Sequence, residues 1–527
     1  MKRSFVFLVL LSIAVWVTGS GIAPAQAQGD HTLIVATNLD DVITLDPARA
    51  FETTNLTIHR ATYDTLLEIT ADDLTTVRPA LAESYTVSDD GLVYTFVLRE
   101  GVTFASGNPV TAEDVRFSWT RLKNIKGNPS FYADPIASIE VVDDRTVRVT
   151  LSEPFPAFPT VVTVPAMSIL DSQVAIAHGA TDAEDADQTD TANDWLTQNS
   201  AGSGPFILTG WTPDVEITMV RNDNYWRGPA ALAGVTLRNV NDSSSALQLL
   251  ERGDVDIAEN VDKDLAGQVT GNDQLVLEIG QTLNVTYVAM SPAESFGLPL
   301  ADVRVRQAIA SAIDYDGIIN DLLLGYADRP ASILPIGVQG SDPAGRYVRD
   351  LDRARALLAE AGVPDGFDLT LYIGSGAPGG IPAETLAAKI QADLAEIGVN
   401  VTIDQRPTSD FLTAFRAQEL SFLFSTWTPD YLDATMWSDY FSYPDVGPAF
   451  RIQLNSEEIA RLADEAKFEA DPAARTALYE QYQAAHVAEA VFVPLFQPQQ
   501  LYALRANVQG FAFHPVYFMD FYGMSVE

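Results

Sequence analysis

The densest chemistry in the chain lies at Trp427-Thr428-Pro429-Asp430-Tyr431-Leu432-Asp433. Two carboxylates and two aromatic rings leave the end of Leu420–Trp427, a continuous apolar run that reads as a strand. Carboxylates at this spacing can act as general acid and base, or they can anchor a cationic ligand. With 71 Asp and Glu in the chain, one such pair is weak evidence for catalysis, and an anchoring or structural role is favoured. The rest of the inventory agrees. There is no G-x-x-x-x-G-K-[ST] loop, no G-x-S-x-G elbow and no H-E-x-x-H pair. The five histidines are dispersed, and the chain has no cysteine, which excludes thiolate metal sites and cysteine nucleophiles. No catalytic residue, cofactor or metal is therefore expected.

The elements that must position this segment follow from periodicity. Phe367–Ile373 reads as a strand, Ala383–Ile397 as a helix with Leu386, Ile390, Leu394 and Ile397 on one face, and Gly398 as its stop. Val399–Ile403 is a second strand, Ser409–Gln418 a helix, and Leu420–Trp427 a third strand. This alternation predicts a parallel sheet covered by helices, and in such open sheets ligands sit beyond the carboxyl ends of the strands. Asp302–Ile319 and Leu351–Ala361 read as further helices. Upstream, Tyr85–Val87 and Leu92–Leu98 flank the turn Ser88-Asp89-Asp90-Gly91. Thr111-Ala112-Glu113-Asp114 has the form of a capped helix start, and Ile139–Val142 with Thr146–Leu151 suggests a second hairpin. These pieces predict a small α+β unit. Asp182–Asp194 is acidic, lacks hydrophobic period and reads as a solvated loop; its resemblance to a calcium loop is loose, without the central Gly or terminal Glu.

Composition bounds the function further. The 527 residues carry 32 Lys and Arg, a net charge of −39 and only six lysines, so the basic footprint of a nucleic-acid binder is missing. At the N-terminus, Lys2 and Arg3 precede the apolar run Phe5–Val17 and the small-residue site Ala25-Gln26-Ala27. That pattern predicts a secretory signal cleaved before Gln28, and the absence of cysteine excludes a lipid-anchored N-terminus.

The run Pro79–Ser84, Asp89-Asp90-Gly91, Tyr94-Thr95-Phe96, Leu98–Val102 and Thr111–Val115 closely resembles the signature of the family 5 extracellular solute-binding proteins, the peptide- and nickel-type binding components of ABC importers. Leu45-Asp46-Pro47, Tyr63–Leu66, Gly202–Phe206, Arg221–Trp226, Gly253–Asp256 and Val303–Ile309 match in the same order. The resemblance spans essentially the whole chain after the leader.

It implies an α/β, two-lobed periplasmic binding protein-like fold (type II, cluster C-like) with an extra small α+β domain in the first lobe. The expected organisation is a signal peptide over 1–27, the first lobe over 28–67, its small domain over 68–169, the first lobe again over 170–287, the second lobe over 288–496, and a C-terminal return to the first lobe over 497–527. The resemblance further implies a monomeric periplasmic protein that takes a peptide or similar amino-bearing solute to an inner-membrane permease and its ATPase. Oligosaccharides, opines and metal chelates are alternative cargoes within the family, and a secreted hydrolase is the alternative outside it. In peptide-binding relatives an Asp three residues after a Trp pairs with the ligand ammonium, a role that falls on Asp430 after Trp427, with Thr428 and Tyr431 beside it. Tyr132 and the loop Glu52, Thr53 and Thr54 match cleft-lining positions. Some relatives carry an Arg three residues before the Trp; Phe424 stands there, so recognition of a ligand carboxylate is unassigned.

Overall fold

The computed structural model describes residues 29–342 and 344–527; the expected leader, residues 1–27, lies outside the described residues. In the small unit the turn chemistry works as its residue types require. Asp90 Oδ1 accepts from Ser88 Oγ at 2.5 Å and from the Leu92 amide at 3.1 Å, and Gly91 takes φ +70°, a left-handed value that favours glycine. Strands Ala82–Val87 and Val93–Leu98 are thereby paired, and Thr146–Leu151 and Ile136–Asp143 extend the antiparallel sheet to four strands. Helix Ala112–Ile125 starts at Thr111, whose amide and hydroxyl donate to Asp114 Oδ2 at 2.9 and 2.7 Å. Its stripe of Val115, Trp119 and Leu122 is buried in the same core as Phe96, Val147 and Val149.

The acidic segment 182–194 departs from the expected solvated loop. It forms the short helices Ala186–Thr189 and Asn193–Leu196 and sends one carboxylate inward. Asp190 receives Arg121 Nε at 2.8 Å and Nη2 at 3.0 Å, while Asp46 takes the other edge of the guanidinium at 2.8 and 2.6 Å. All three side chains are essentially sealed from solvent. Buried charge must be paired and hydrogen-bonded, and this triad satisfies both conditions.

The second half also differs in part from its expected form. Phe367–Gly374 and Val399–Arg406 are parallel, and Phe422–Trp427 joins them in parallel through Tyr372 and Leu423. The sheet is nevertheless mixed, because Phe422–Trp427 pairs antiparallel with Val285–Met290 on its other side. The helix expected over Asp302–Ile319 ends at Ala312. Asp314 breaks it: its carboxylate accepts the Gly317 amide at 3.1 Å and Lys389 Nζ at 2.8 Å, starting a new turn.

One strand ties the halves together. Phe492–Arg505 runs through the centre of a twelve-stranded sheet. Its first residues pair with Val285–Met290, and Gln499–Arg505 pair with Leu275–Gln281. Between them Gln497, fully buried, donates to the Thr282 and Ile336 carbonyls at 2.6 and 3.0 Å, and Thr282 Oγ1 donates to the Pro498 carbonyl at 2.5 Å. Two chain segments therefore cross side by side between the halves of a two-lobed α/β protein. Beyond the crossing, Met519, Phe521 and Met524 of the C-terminal segment pack on Leu33 and Val35 of the first half.

Candidate ligand-binding cleft

Four strand ends open on one cleft. Thr32–Thr37 delivers Asn38–Asp41, and Ile257–Ala258 delivers Glu259–Asp264. From the other half, Phe422–Trp427 delivers Thr428–Asp430, and Phe367–Gly374 leads into Gly379 and Gly380. These carboxyl ends are where an open sheet leaves unpaired backbone and room for a ligand. Three cavities follow one another along the cleft, of about 50, 560 and 540 Å³. The first two share Thr53 and Thr428; the last two share Asn260, Asn284 and Gln500. The larger two are each of a size that takes a small organic ligand.

Asp430 lines the smallest cavity, opposite Glu52 and Thr53. Its carboxylate has no hydrogen bond or ion pair among the described residues, and burial alone pushes it up from 3.8 to about 6. Its backbone carbonyl accepts from Tyr132 Oη at 3.2 Å, a contact between segments 298 residues apart. Tyr132 in turn packs on Phe131, which meets Phe51 edge-on at 5.8 Å. Glu52 precedes helix Thr53–Thr62 and is held by the Phe51 amide at 3.0 Å and Asn55 Nδ2 at 2.8 Å. Thr53 and Thr54 line the middle cavity, where the Thr54 amide donates to Asp41 at 3.2 Å. His59, also on the smallest cavity, is pushed down to about 4 by burial and is neutral at pH 7.

The expected cluster is only partly brought together. Trp427 does not line these cavities: its ring packs on Tyr440 and Phe441 at 5.1 and 5.3 Å. Tyr431 is buried and exchanges a hydrogen bond with Thr435 at 3.2 Å. Asp433, the second carboxylate of the motif, faces away as well, in a two-pronged pair with Arg475 at 2.7 and 2.8 Å. After the strand ends, the apolar rings turn to the core and only Thr428, Pro429 and Asp430 face the cleft. Phe424 is 5 % exposed and belongs to the core around Val288 and Phe496. No ligand carboxylate can be read there.

Beyond Glu52, Thr53, Thr54 and Tyr132, sequence reasoning missed the first-half wall. Glu259 lines the middle cavity, accepts from Thr37 Oγ1 at 2.6 Å and is raised by burial. Lys263 lines the far cavity. The strand that positions both is two residues long and leaves no periodic signature. The motif Gly253–Asp256 just before it was the available signal, had the strand-end rule been applied there too.

Strand ends from both lobes open on this cleft, at the place where an open α/β sheet takes its ligand. The family description "Bacterial extracellular solute-binding proteins, family 5 Middle" matches residues 76–448, and the chain belongs to that family. It is 29 % identical to the probable D,D-dipeptide-binding periplasmic protein DdpA of Escherichia coli K12, over 98 % of each chain. It is 32 % identical to di/tripeptide-binding protein 2 of Pseudomonas aeruginosa, over 85 % of this chain and 86 % of that one. Among solved structures, HbpA2 from Haemophilus parasuis superposes with a TM-score of 0.84 at 27 % identity, covering 95 % of this chain and all of the other.

Proposed function

We propose that this protein captures a peptide, or a similar solute with a free amino group, between its two lobes in the periplasm and hands it to the permease and ATPase of an ABC importer. The observation that carries this reading is Asp430: a carboxylate at a strand end, facing the cleft, desolvated and without a cation of its own. A ligand ammonium would supply the missing partner in a charge-assisted bond, stronger for being enclosed. The names of the peptide-binding relatives support the same class of cargo. The activity is binding without turnover, by a monomer, with no role for nucleic acid. Residues 28–287 and 497–527 form the first lobe, with 68–169 as its small domain, and 288–496 form the second. The lobes close about the paired crossings at 281–285 and 497–498, and ligand favours the closed state because only there does it touch both walls.

The test is a thermodynamic cycle by calorimetric titration. Wild type and Asp430→Asn are titrated with alanine peptides of two to five residues and with their N-acetylated forms. Losing one partner of a desolvated pair costs about 2–5 kcal/mol, so the variant should bind free peptides about 30-fold to several thousandfold more weakly. Acetylation should cost the wild type a similar amount and the variant little, since both changes break one contact. A coupling energy near zero would remove the amine assignment and move oligosaccharides, opines or chelates ahead.

A further inference from the structure

The far end of the cleft carries a group of opposite sign. Of the five lysines among the described residues, Lys126, Lys389 and Lys467 each sit in an ion pair. Lys263 makes none there. It belongs to the short turn Lys263–Leu265 at the first-lobe strand end, and its Nζ donates to the Gly379 carbonyl of the other lobe at 2.6 Å. The loop that offers this carbonyl depends on glycine. Gly379 and Gly380 have φ of +61° and +89°, and a Cβ on Gly379 would meet the Phe496 ring at 2.8 Å. A lysine ammonium has three donors, and one neutral carbonyl engages only one of them. Among the described residues, Lys263 is the only Lys or Arg lining any of the three cavities of the cleft. Burial holds it below the usual lysine range, with the neighbouring Asp262 opposing that shift.

We infer that Lys263 is the anion anchor of the cleft: it receives the carboxylate of a solute whose ammonium is held at the opposite end by Asp430. This assignment rests on the peptide reading above and extends it. The cargo is then a zwitterion that runs from the smallest cavity, lined by Asp430, through the middle cavity to the far one, lined by Lys263, rather than a compact solute seated at one end. The geometry also gives the carboxylate a part in closure. Lys263 already reaches across to the second lobe, so an anion bound there sits on the seam and holds both walls.

The experiment compares wild type, Lys263→Met and Lys263→Gln, using alanine peptides of two to five residues as free acids and as C-terminal amides. Circular dichroism of each protein checks that it is folded. Amidation should weaken wild-type binding about ten- to a hundredfold for the peptide that spans the cleft, the range expected of a hydrogen bond to a charged group. Both variants should bind acid and amide alike. Gln can still donate to the Gly379 carbonyl, so a Gln variant that behaves as wild type would reduce Lys263 to a lobe–lobe contact and overturn the assignment. An amide penalty that persists in the Met variant would place carboxylate recognition elsewhere, with the same result. Binding of free acids and amides with equal affinity by wild type sinks the Lys263 role alone. If no alanine peptide binds wild type, the peptide reading fails and this one with it.

Discussion

Asp430 and Asp433 leave the same strand three residues apart, and their surroundings differ in every respect that matters to a carboxylate. Asp433 meets Arg475 along two short bonds, and its Oδ1 also accepts from the Thr435 amide at 2.9 Å. Asp430 is partly withdrawn from water, and among the described residues its carboxylate has no hydrogen bond or ion pair. The first belongs to the frame, as does the triad of Asp46, Arg121 and Asp190 in the first half of the chain. The second is an uncompensated cost carried by the ligand-free protein, and a cationic ligand would offset it. Pairing, rather than burial or position in a motif, separates the structural carboxylate from the one proposed to bind ligand.

The comparison can be broken at its strongest point first. Arg121→Met leaves two enclosed carboxylates with only the longer contacts of the partly buried Arg49, and breaking a buried pair typically costs about 3–5 kcal/mol. The loss should lie toward the lower end of that range, because Arg49 still reaches both acids, at 3.4 and 3.5 Å. Urea denaturation followed by circular dichroism measures it. A variant as stable as wild type would mean that the triad is not part of the frame. Asp433→Asn should follow with about 3 kcal/mol, since Arg475 is left with Gln339 and Tyr479 but no charge partner. It should leave peptide affinity close to wild type, and a large loss of binding without loss of stability would reverse the roles given to Asp430 and Asp433.

Much of this frame was legible in the chain. The turn Ser88–Gly91, the capped start at Thr111 and the apolar stripe of the helix begun at Ala383 rest on local chemistry, and local chemistry can be read from sequence. Parallel pairing of Phe367–Gly374 with Val399–Arg406 follows from the strand–helix–strand order. The antiparallel partner Val285–Met290 and the long strand Phe492–Arg505 were not legible, because their pairing joins segments about 200 residues apart. Of the site, Asp430 and Thr428 line the cleft as the strand-end rule suggested, and Tyr132 as the resemblance implied. Trp427 and Tyr431 do not, since which way a ring turns after a strand end depends on the core beside it. Asp190 was misjudged for the same reason: its partner Arg121 lies 69 residues away on another helix.

The smallest effect has the opposite sign, and it bears most directly on the distinction between the two acids. Asp430 titrates near 6 in the folded protein, against an ordinary value of 3.8. Between those values the folded state keeps a proton that the unfolded state has released. Stability therefore falls as pH rises from about 4 to about 6, and stays at the lower level above 6. Asp430→Asn removes a charge that the folded state holds at a disadvantage. In ligand-free protein at pH 7 it should raise the melting temperature slightly, where Asp433→Asn lowers it. The gain should shrink as pH falls through 6 and vanish below about 4, where wild type is protonated in both states. Scanning calorimetry of both variants and wild type at pH 4, 5, 6 and 7 reads the whole pattern, with ligand removed beforehand by partial unfolding and dialysis. If Asp430→Asn destabilises the ligand-free protein at pH 7 as Asp433→Asn does, then Asp430 has a partner in the frame, and the contrast between the two carboxylates is lost.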